Sequence, residues 1–258
     1  MDVIMPTMNG FEAANKIQSI INNNNFLNTK RISIVFVSAC VNQQNDFEEI
    51  RKSVQDTVGG THYYPRLMAA YLRNDSTLLN DTLPSGDVVQ GRVMSIDDYR
   101  KLYYGYVFEE DYNPFRTSVY SEKLEHLYDK KEFTREESVL IKENARAALA
   151  DNLFDLRQMS FFIYALKEIR KDNLARICQF RLNYLVAAIL SSGQGTKEHP
   201  WVVTSVEHEY NIINFLGYVA VEHEVVEGNI DYIKVAKKDE KSPEGFYFDV
   251  SKIMEVAQ

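Results

Sequence analysis

One stretch of the chain constrains its fold more than any other, because its apolar residues recur at helical spacing. Between residues 174 and 189 these side chains share one helix face: Leu174, Ile177, Cys178, Leu182, Leu185, Val186 and Ile189. Residues 153–169 show a similar pattern, and Asp172 and Asn173 lie between the two segments. We therefore predict two consecutive helices that pack as an antiparallel hairpin.

Helix starts are indicated where a hydroxyl residue is followed three positions later by an acidic residue. Ser95 precedes Asp98 in this way, and Thr134 precedes Glu137. Both pairs fit a capping box, in which each side chain binds the backbone of the other residue. We predict helices that begin after Ser95 and after Thr134, and a further helix over about residues 46–54.

The last sixty residues have the pattern of a small sheet. Gly193, Gly195 and Pro200 end the helical region. The segments beyond them that are typical of strands are residues 201–206, 219–226, 230–236 and 246–250. A turn at Glu227-Gly228-Asn229 predicts a β-hairpin, and a short helix is expected near residues 211–218.

Composition excludes several classes of protein. The chain is 45% hydrophobic and 26% charged, as in a soluble globular protein, and its net charge of -8 disfavours nucleic acid and anionic membranes as partners. Its two cysteines, Cys40 and Cys178, form neither a disulfide framework nor a zinc motif. No targeting segment and no membrane-spanning run is visible, so we expect a cytoplasmic protein. Common nucleotide-binding and hydrolase motifs are also absent, so no cofactor is expected from them.

The first eleven residues, MDVIMPTMNGF, resemble the segment around the phosphorylated aspartate of response-regulator receiver domains. In that family a strand ends at the aspartate, and a Met-Pro pair and a glycine follow, which here would be Asp2, Met5, Pro6 and Gly10. A later receiver strand ends in a hydroxyl and a small residue, as Ser38-Ala39 does here. The resemblance implies that Asp2 accepts a phosphoryl group, that Ser38 senses it, and that magnesium is the cofactor.

The resemblance covers about residues 1–55. Receivers also use an acidic pair after their first strand and a Lys-Pro pair after their fifth, and neither is found in the matching part of this chain. The resemblance therefore implies a degenerate receiver, with magnesium bound only if the segment is competent. We predict a mixed α/β and α+β chain. Residues 1–57 would be the N-terminal half of a flavodoxin-like receiver, and residues 58–258 a mainly helical domain with a tyrosine-rich opening region and a small antiparallel C-terminal sheet.

A dense group of tyrosines is the first candidate binding feature: Tyr99, Tyr103, Tyr104, Tyr106 and Tyr112. Tyrosine combines a large contact area with a polar hydroxyl and is enriched at protein interfaces. These residues are candidates for binding a protein partner. The alternative is that they fill a domain core with their hydroxyls paired.

Two Val-Glu-His-Glu strings, at residues 206–209 and 221–224, are the second candidate feature. On adjacent strands, His208 and His223 could contribute to a metal site, because imidazole and carboxylate suit several divalent metals. Strand alternation would point His223 away from Glu222 and Glu224. A solvated polar strand face is therefore the favoured interpretation, with no metal ligand assigned.

These observations favour a non-catalytic regulatory or assembly subunit that acts through protein–protein interaction, with the receiver-like segment used for docking. One alternative is a response regulator of a two-component phosphorelay with Asp2 as phosphoacceptor. A second alternative is a metal-dependent enzyme that uses His208 and His223. No catalytic residue is assigned, and whether the chain is an enzyme stays open.

Overall fold

The structure, a computed structural model, describes residues 47–55, 57–58, 61–73, 77–78, 81–82, 88–89, 92–128, 130, 132–240 and 242–256. These residues divide into two compact units. The helical unit comprises the described residues of 47–186, and the C-terminal unit those of 187–256. Asp2 and Ser38 lie outside the described residues, as does most of the predicted flavodoxin-like segment, which the structure does not support.

The chain forms a mixture of helices and short strands. The helices are α1 (Phe47–Gln55), α2 (Tyr63–Leu72), α3 (Ile96–Gly105), α4 (Val119–Glu122), α5 (Arg135–Asp151), α6 (Leu156–Glu168), α7 (Asp172–Leu190), α8 (Val206–Phe215) and α9 (Ser251–Met254). The strands are β1 (Thr57–Val58), β2 (Thr61–His62), β3 (Thr77–Leu78), β4 (Asp81–Thr82), β5 (Val88–Val89), β6 (Arg92–Val93), β7 (Trp201–Val202), β8 (Ala220–Val226), β9 (Ile230–Val235) and β10 (Gly245–Asp249). None of the helices described is both long enough and apolar enough to span a membrane.

Both predicted capping boxes are present. The backbone N–H of Asp98 donates to Ser95 Oγ at 3.2 Å, and the Ser95 N–H donates to Asp98 Oδ2 at 2.7 Å. At the start of α5, Glu137 N–H donates to Thr134 Oγ1 at 3.2 Å while Thr134 N–H donates to Glu137 Oε2 at 2.9 Å. Each box satisfies backbone N–H groups that the first helical turn leaves without a partner.

Replacing Thr134 with alanine is expected to lower the free energy of unfolding by about 1 kcal/mol, because the third N–H of α5 loses its acceptor. Urea denaturation followed by far-UV circular dichroism measures this change. Thr134→Ser keeps a hydroxyl at the cap and should lose much less. Equal losses in the two variants would contradict a role for the hydroxyl.

The helical unit is packed around α5 and α6, which residues 152–155 connect. This pair has the most extensive helix–helix packing in the unit. Fully buried side chains of α5, α6 and the turn at residues 124–127 form one cluster of Leu124, Leu127, Ile141, Ala145 and Ala165. The closely packed pair thus lies one helix earlier in the chain than the predicted hairpin of residues 153–190.

Helix α7 confirms the long apolar stripe. Cys178, Leu182, Leu185, Val186 and Ile189 are buried, and Leu174 and Ile177 are half-buried. The break before α7 falls earlier than predicted, because Arg170 adopts a left-handed backbone conformation (φ 61°) and α7 begins at Asp172. An aspartate in the first turn suits the positive end of the helix dipole.

The C-terminal unit contains a four-stranded sheet in the order β7-β10-β9-β8. Strand β9 pairs antiparallel with both β8 and β10, whereas β7 pairs parallel with β10. The sheet is therefore mixed, and the prediction of a purely antiparallel sheet was wrong. Strand β7 has only two residues, Trp201 and Val202, so the sequence offered little from which to predict its direction.

Helix α8 also corrects a sequence prediction. Residues 203–206 were expected to continue a strand, but α8 begins at Val206 and ends at Phe215. The first Val-Glu-His-Glu string therefore lies on a helix, while the second lies on β8. The core of this unit combines Ile212 and Ile213 of α8 with Ile233 and Phe248 of the sheet, all fully buried.

Candidate functional site

Strand β8 is the most exposed strand of the four-stranded sheet. Residues 221–225 are exposed in succession, and Val221 and Val225 keep 58% and 79% of their surface accessible. One side of β8 pairs with β9, and no strand among the described residues pairs with its other side. Backbone N–H and C=O groups along such an edge are a template for pairing with another chain.

The two faces of β8 differ in chemistry. Glu222 and Glu224 lie on one face, where Glu222 lies opposite Lys234 of β9 with the Lys234 Nζ 3.1 Å from Glu222 Oε2. His223 lies on the other face, opposite the buried Ile233. Alternation along the strand therefore gives β8 an acidic face and a second face that carries His223.

On the His223 face, three side chains that can bind a cation converge. Glu209 comes from the first turn of α8, His223 from β8 and Asp231 from β9, and their ligand atoms all lie within 4.8 Å of one another. His223 Nε2 lies 3.0 Å from Asp231 Oδ2. We call these three residues the carboxylate–histidine cluster.

The β8–β9 turn places Asp231 beside His223. Gly228 and Asn229 both adopt left-handed backbone conformations (φ 83° and 60°), and this tight turn sets Val225 opposite Asp231. Asp231 is then the diagonal cross-strand neighbour of His223, a spacing across which side chains on the same face can interact.

Glu209 is the most unusual member of the cluster. It is only 2% exposed, and its Oε1 atom has no hydrogen-bond partner among the residues that the structure describes. Burial, the charge of Asp231 and a hydrogen bond to Asp231 together raise the pKa of Glu209 to about 8. At neutral pH Glu209 therefore holds a proton that it donates toward Asp231.

The cluster is open on the His223 side. The His223 side chain is 38% exposed and that of Asp231 13%, so water reaches the imidazole but hardly reaches Glu209. The ring of Tyr210 lies edge-on to His223, with the ring centroids 6.2 Å apart. A buried and a half-buried carboxyl group next to an accessible imidazole can hold a proton, or can exchange that proton for a metal cation.

The structure separates the two histidines that the sequence analysis paired. His208 is buried on α8 and is not a member of the cluster, whereas His223 is. Sequence reasoning missed Glu209 and Asp231. The predicted turn at residues 227–229 could have placed Asp231 diagonal to His223. Glu209 comes near these two residues only because α8 begins at Val206, earlier than the predicted helix of residues 211–218.

The structure divides the five candidate tyrosines into two groups. Tyr99, Tyr103 and Tyr104 are fully buried on α3 and pack the core of the helical unit, so they have no surface with which to contact a partner. Tyr106 and Tyr112 are half-buried and pack edge-on at 5.8 Å. The Tyr106 hydroxyl also donates to Asp111 Oδ2 at 3.0 Å.

These features define a mixed α/β protein whose small C-terminal sheet carries an exposed acidic edge strand above a carboxylate–histidine cluster. The chain belongs to the family described as Domain of unknown function (DUF4919), whose model matches residues 89–258. The matched range includes all three residues of the cluster. No curated protein and no solved structure matches the chain.

The receiver resemblance of residues 1–55 was wrong. No receiver family model matches the chain, and the family that does match begins at residue 89. A few motif residues carried the resemblance, while the acidic pair and the Lys-Pro pair that complete a receiver's phosphoryl site were lacking. A motif without the rest of its chemical site is weak support for a family.

Proposed function

We propose that this chain is a non-catalytic regulatory or assembly protein that binds a protein partner by strand addition to β8. The observation that carries the proposal is the run of five exposed residues, 221–225, on a strand with one paired side among the described residues. In strand addition, backbone hydrogen bonds supply affinity and alternate side chains supply specificity.

Charge argues against a second copy of this chain as the partner. Two copies of β8 that pair antiparallel about a twofold axis place residues of the same face opposite each other. Centring the axis on residue 222, 223 or 224 sets a glutamate against a glutamate in each case. Like charges directly opposite on a sheet are destabilising.

The two faces of β8 define the partner's chemistry. Glu222 and Glu224 favour lysine or arginine at alternate positions of the partner, since opposite charges across strands attract. Val221 and Val225 favour apolar side chains at the partner positions that alternate with the basic ones. The proposed partner is an extended segment in which basic and apolar residues alternate.

A labelled synthetic octapeptide of alternating lysine and valine tests the proposal by fluorescence anisotropy. We expect it to bind the wild-type chain more tightly than the corresponding glutamate–valine peptide. The double variant Glu222→Lys/Glu224→Lys should reverse this preference. Two cross-strand charge pairs, each worth about 0.2–1 kcal/mol, correspond to a change of roughly twofold to thirtyfold in affinity.

The matched control is Glu198→Lys/Glu240→Lys, which makes the same change in net charge at exposed positions outside the strand. This variant should keep the wild-type preference for the basic peptide. If the two double variants behave identically, net charge alone explains the change in preference, and the proposed role of β8 is overturned. Absence of binding by the basic peptide would overturn it as well.

A further inference from the structure

We propose that the carboxylate–histidine cluster of Glu209, His223 and Asp231 binds a divalent transition-metal ion of the zinc class. This inference goes beyond the proposed function and does not depend on it, because His223 and Asp231 lie on the face of the sheet opposite Glu222 and Glu224, and Glu209 reaches them from α8. A protein that fails to bind the basic peptide could still bind the metal, and the reverse also holds.

The spacing of the three ligands fits a single ion. Zinc bonds to imidazole nitrogen and carboxylate oxygen at about 2.0–2.2 Å, which places tetrahedral ligand atoms roughly 3.4 Å apart. The ligand atoms of the cluster all lie within 4.8 Å of one another, and His223 Nε2 is already 3.0 Å from Asp231 Oδ2. Small side-chain rotations would bring all three atoms to bonding distance of one ion.

A second observation points to a cation at this position. Oε1 of Glu209 is buried and has no hydrogen-bond partner in the described part of the chain, although buried carboxyl oxygens are ordinarily paired. Leaving such a group without a partner costs stability, and a metal ion between Glu209 and its two neighbours would supply the missing interaction. One ion would therefore both match the spacing of the ligand atoms and bind the buried Oε1 of Glu209.

The donor set selects the class of metal. One imidazole nitrogen and two carboxylate oxygens suit zinc and neighbouring transition metals, whereas magnesium and calcium prefer sites made of oxygen alone. Three protein ligands leave one position of a tetrahedral ion for water or another ligand. The 38% exposure of the His223 side chain gives that position access to solvent.

The test is calorimetric titration of chelator-treated, untagged protein with zinc chloride. The wild-type chain should bind one zinc ion at a site that Glu209→Gln and His223→Gln each weaken by at least roughly tenfold, the scale seen when metal sites lose a supporting interaction. Magnesium chloride should show no comparable binding. The fluorescence of Trp201, the one tryptophan of the sequence, verifies that each variant is folded.

Two matched controls separate this site from general affinity for zinc. Glu224→Gln makes the same chemical change on the same strand but on the opposite face, and His199→Gln removes an exposed histidine elsewhere in the unit. Both should bind zinc as the wild type does. Zinc binding that is equal in all five proteins, that is absent from the wild type, or that magnesium matches would overturn the proposal.

Discussion

Replacing Gly195 with alanine is expected to lower the free energy of unfolding of the C-terminal unit by about 3 kcal/mol. Gly195 has a left-handed backbone conformation (φ 69°), which costs other residues about 1–2 kcal/mol. A β-carbon there would lie 2.7 Å from the ring of Trp201, and crowding of a packed core costs about a further 1–3 kcal/mol.

Trp201 cannot move aside at low cost. Its ring stacks on Phe246 with centroids 5.2 Å apart, and its indole N–H donates to the backbone oxygen of Gly193 at 3.2 Å. The backbone oxygen of Gly195 also accepts from Tyr247 N–H of β10 at 3.0 Å. A shift of this loop would therefore disturb the sheet as well as the indole.

Urea denaturation followed by Trp201 fluorescence measures the loss. Gly228→Ala is the matched control, because Gly228 is also left-handed (φ 83°) but no atom of the described residues lies within 4 Å of the added carbon. The free energy of unfolding of this variant should fall only by the cost of the left-handed backbone conformation, about 1–2 kcal/mol. Equal losses in the two variants would show that contact with Trp201 contributes nothing.

Replacing Glu209 with glutamine is expected to raise the free energy of unfolding by roughly 4 kcal/mol at pH 8, and by less than about 1 kcal/mol at pH 5. The amide has nearly the shape of the protonated carboxyl group and can still donate a hydrogen bond to Asp231. Unlike the carboxyl group, the amide does not gain or lose a proton between pH 5 and pH 8. The variant therefore keeps the cluster's packing while removing the dependence on pH.

The direction of this change in stability follows from proton binding to Glu209. In the wild type, burial and Asp231 raise the folded-state pKa of Glu209 to about 8, from an ordinary value of 4.5. Between these values the folded chain holds a proton that the unfolded chain has released, so wild-type stability falls as pH rises. Below about pH 4.5 both states are protonated, and the contribution of Glu209 to stability is then fully retained.

Denaturation curves from pH 5 to pH 8, recorded with chelator present, measure this difference. Glu207→Gln is the control, because Glu207 lies in the same helical turn but is exposed. The Glu207 variant should follow the wild-type curve with pH. A wild-type stability that stays level from pH 5 to pH 8 would contradict a protonated Glu209.

Local signals in the sequence predicted much of the fold. The hydroxyl–acid pairs at Ser95 and Thr134 marked helix starts to the residue, and the turn at residues 227–229 gave the β8–β9 hairpin. These signals depend on interactions within a few residues of the chain. The direction of β7 could not be predicted in this way, because its pairing with β10 joins residues far apart in sequence.

The candidate site shows the same limit. His223 was singled out and Asp231 was within reach of the predicted hairpin register, but Glu209 joins them only because α8 begins at Val206. The alternation Val-Glu-His-Glu favours a strand as much as a helix over so short a span. Packing of Ile212 and Ile213 against the sheet decides in favour of the helix, and that contact cannot be read from four residues.

The pairing of β7 with β10 also sets an order in which the C-terminal unit can assemble. The β8–β9 hairpin closes across three residues, whereas Phe248 must find Trp201 across the whole of α8 and that hairpin. Closing the longer loop costs more chain entropy, so folding is expected to begin at the hairpin and to finish when β10 seats between β9 and β7. Trp201 would then report the last step of folding, and a kinetic trace of its fluorescence would lag behind formation of the hairpin.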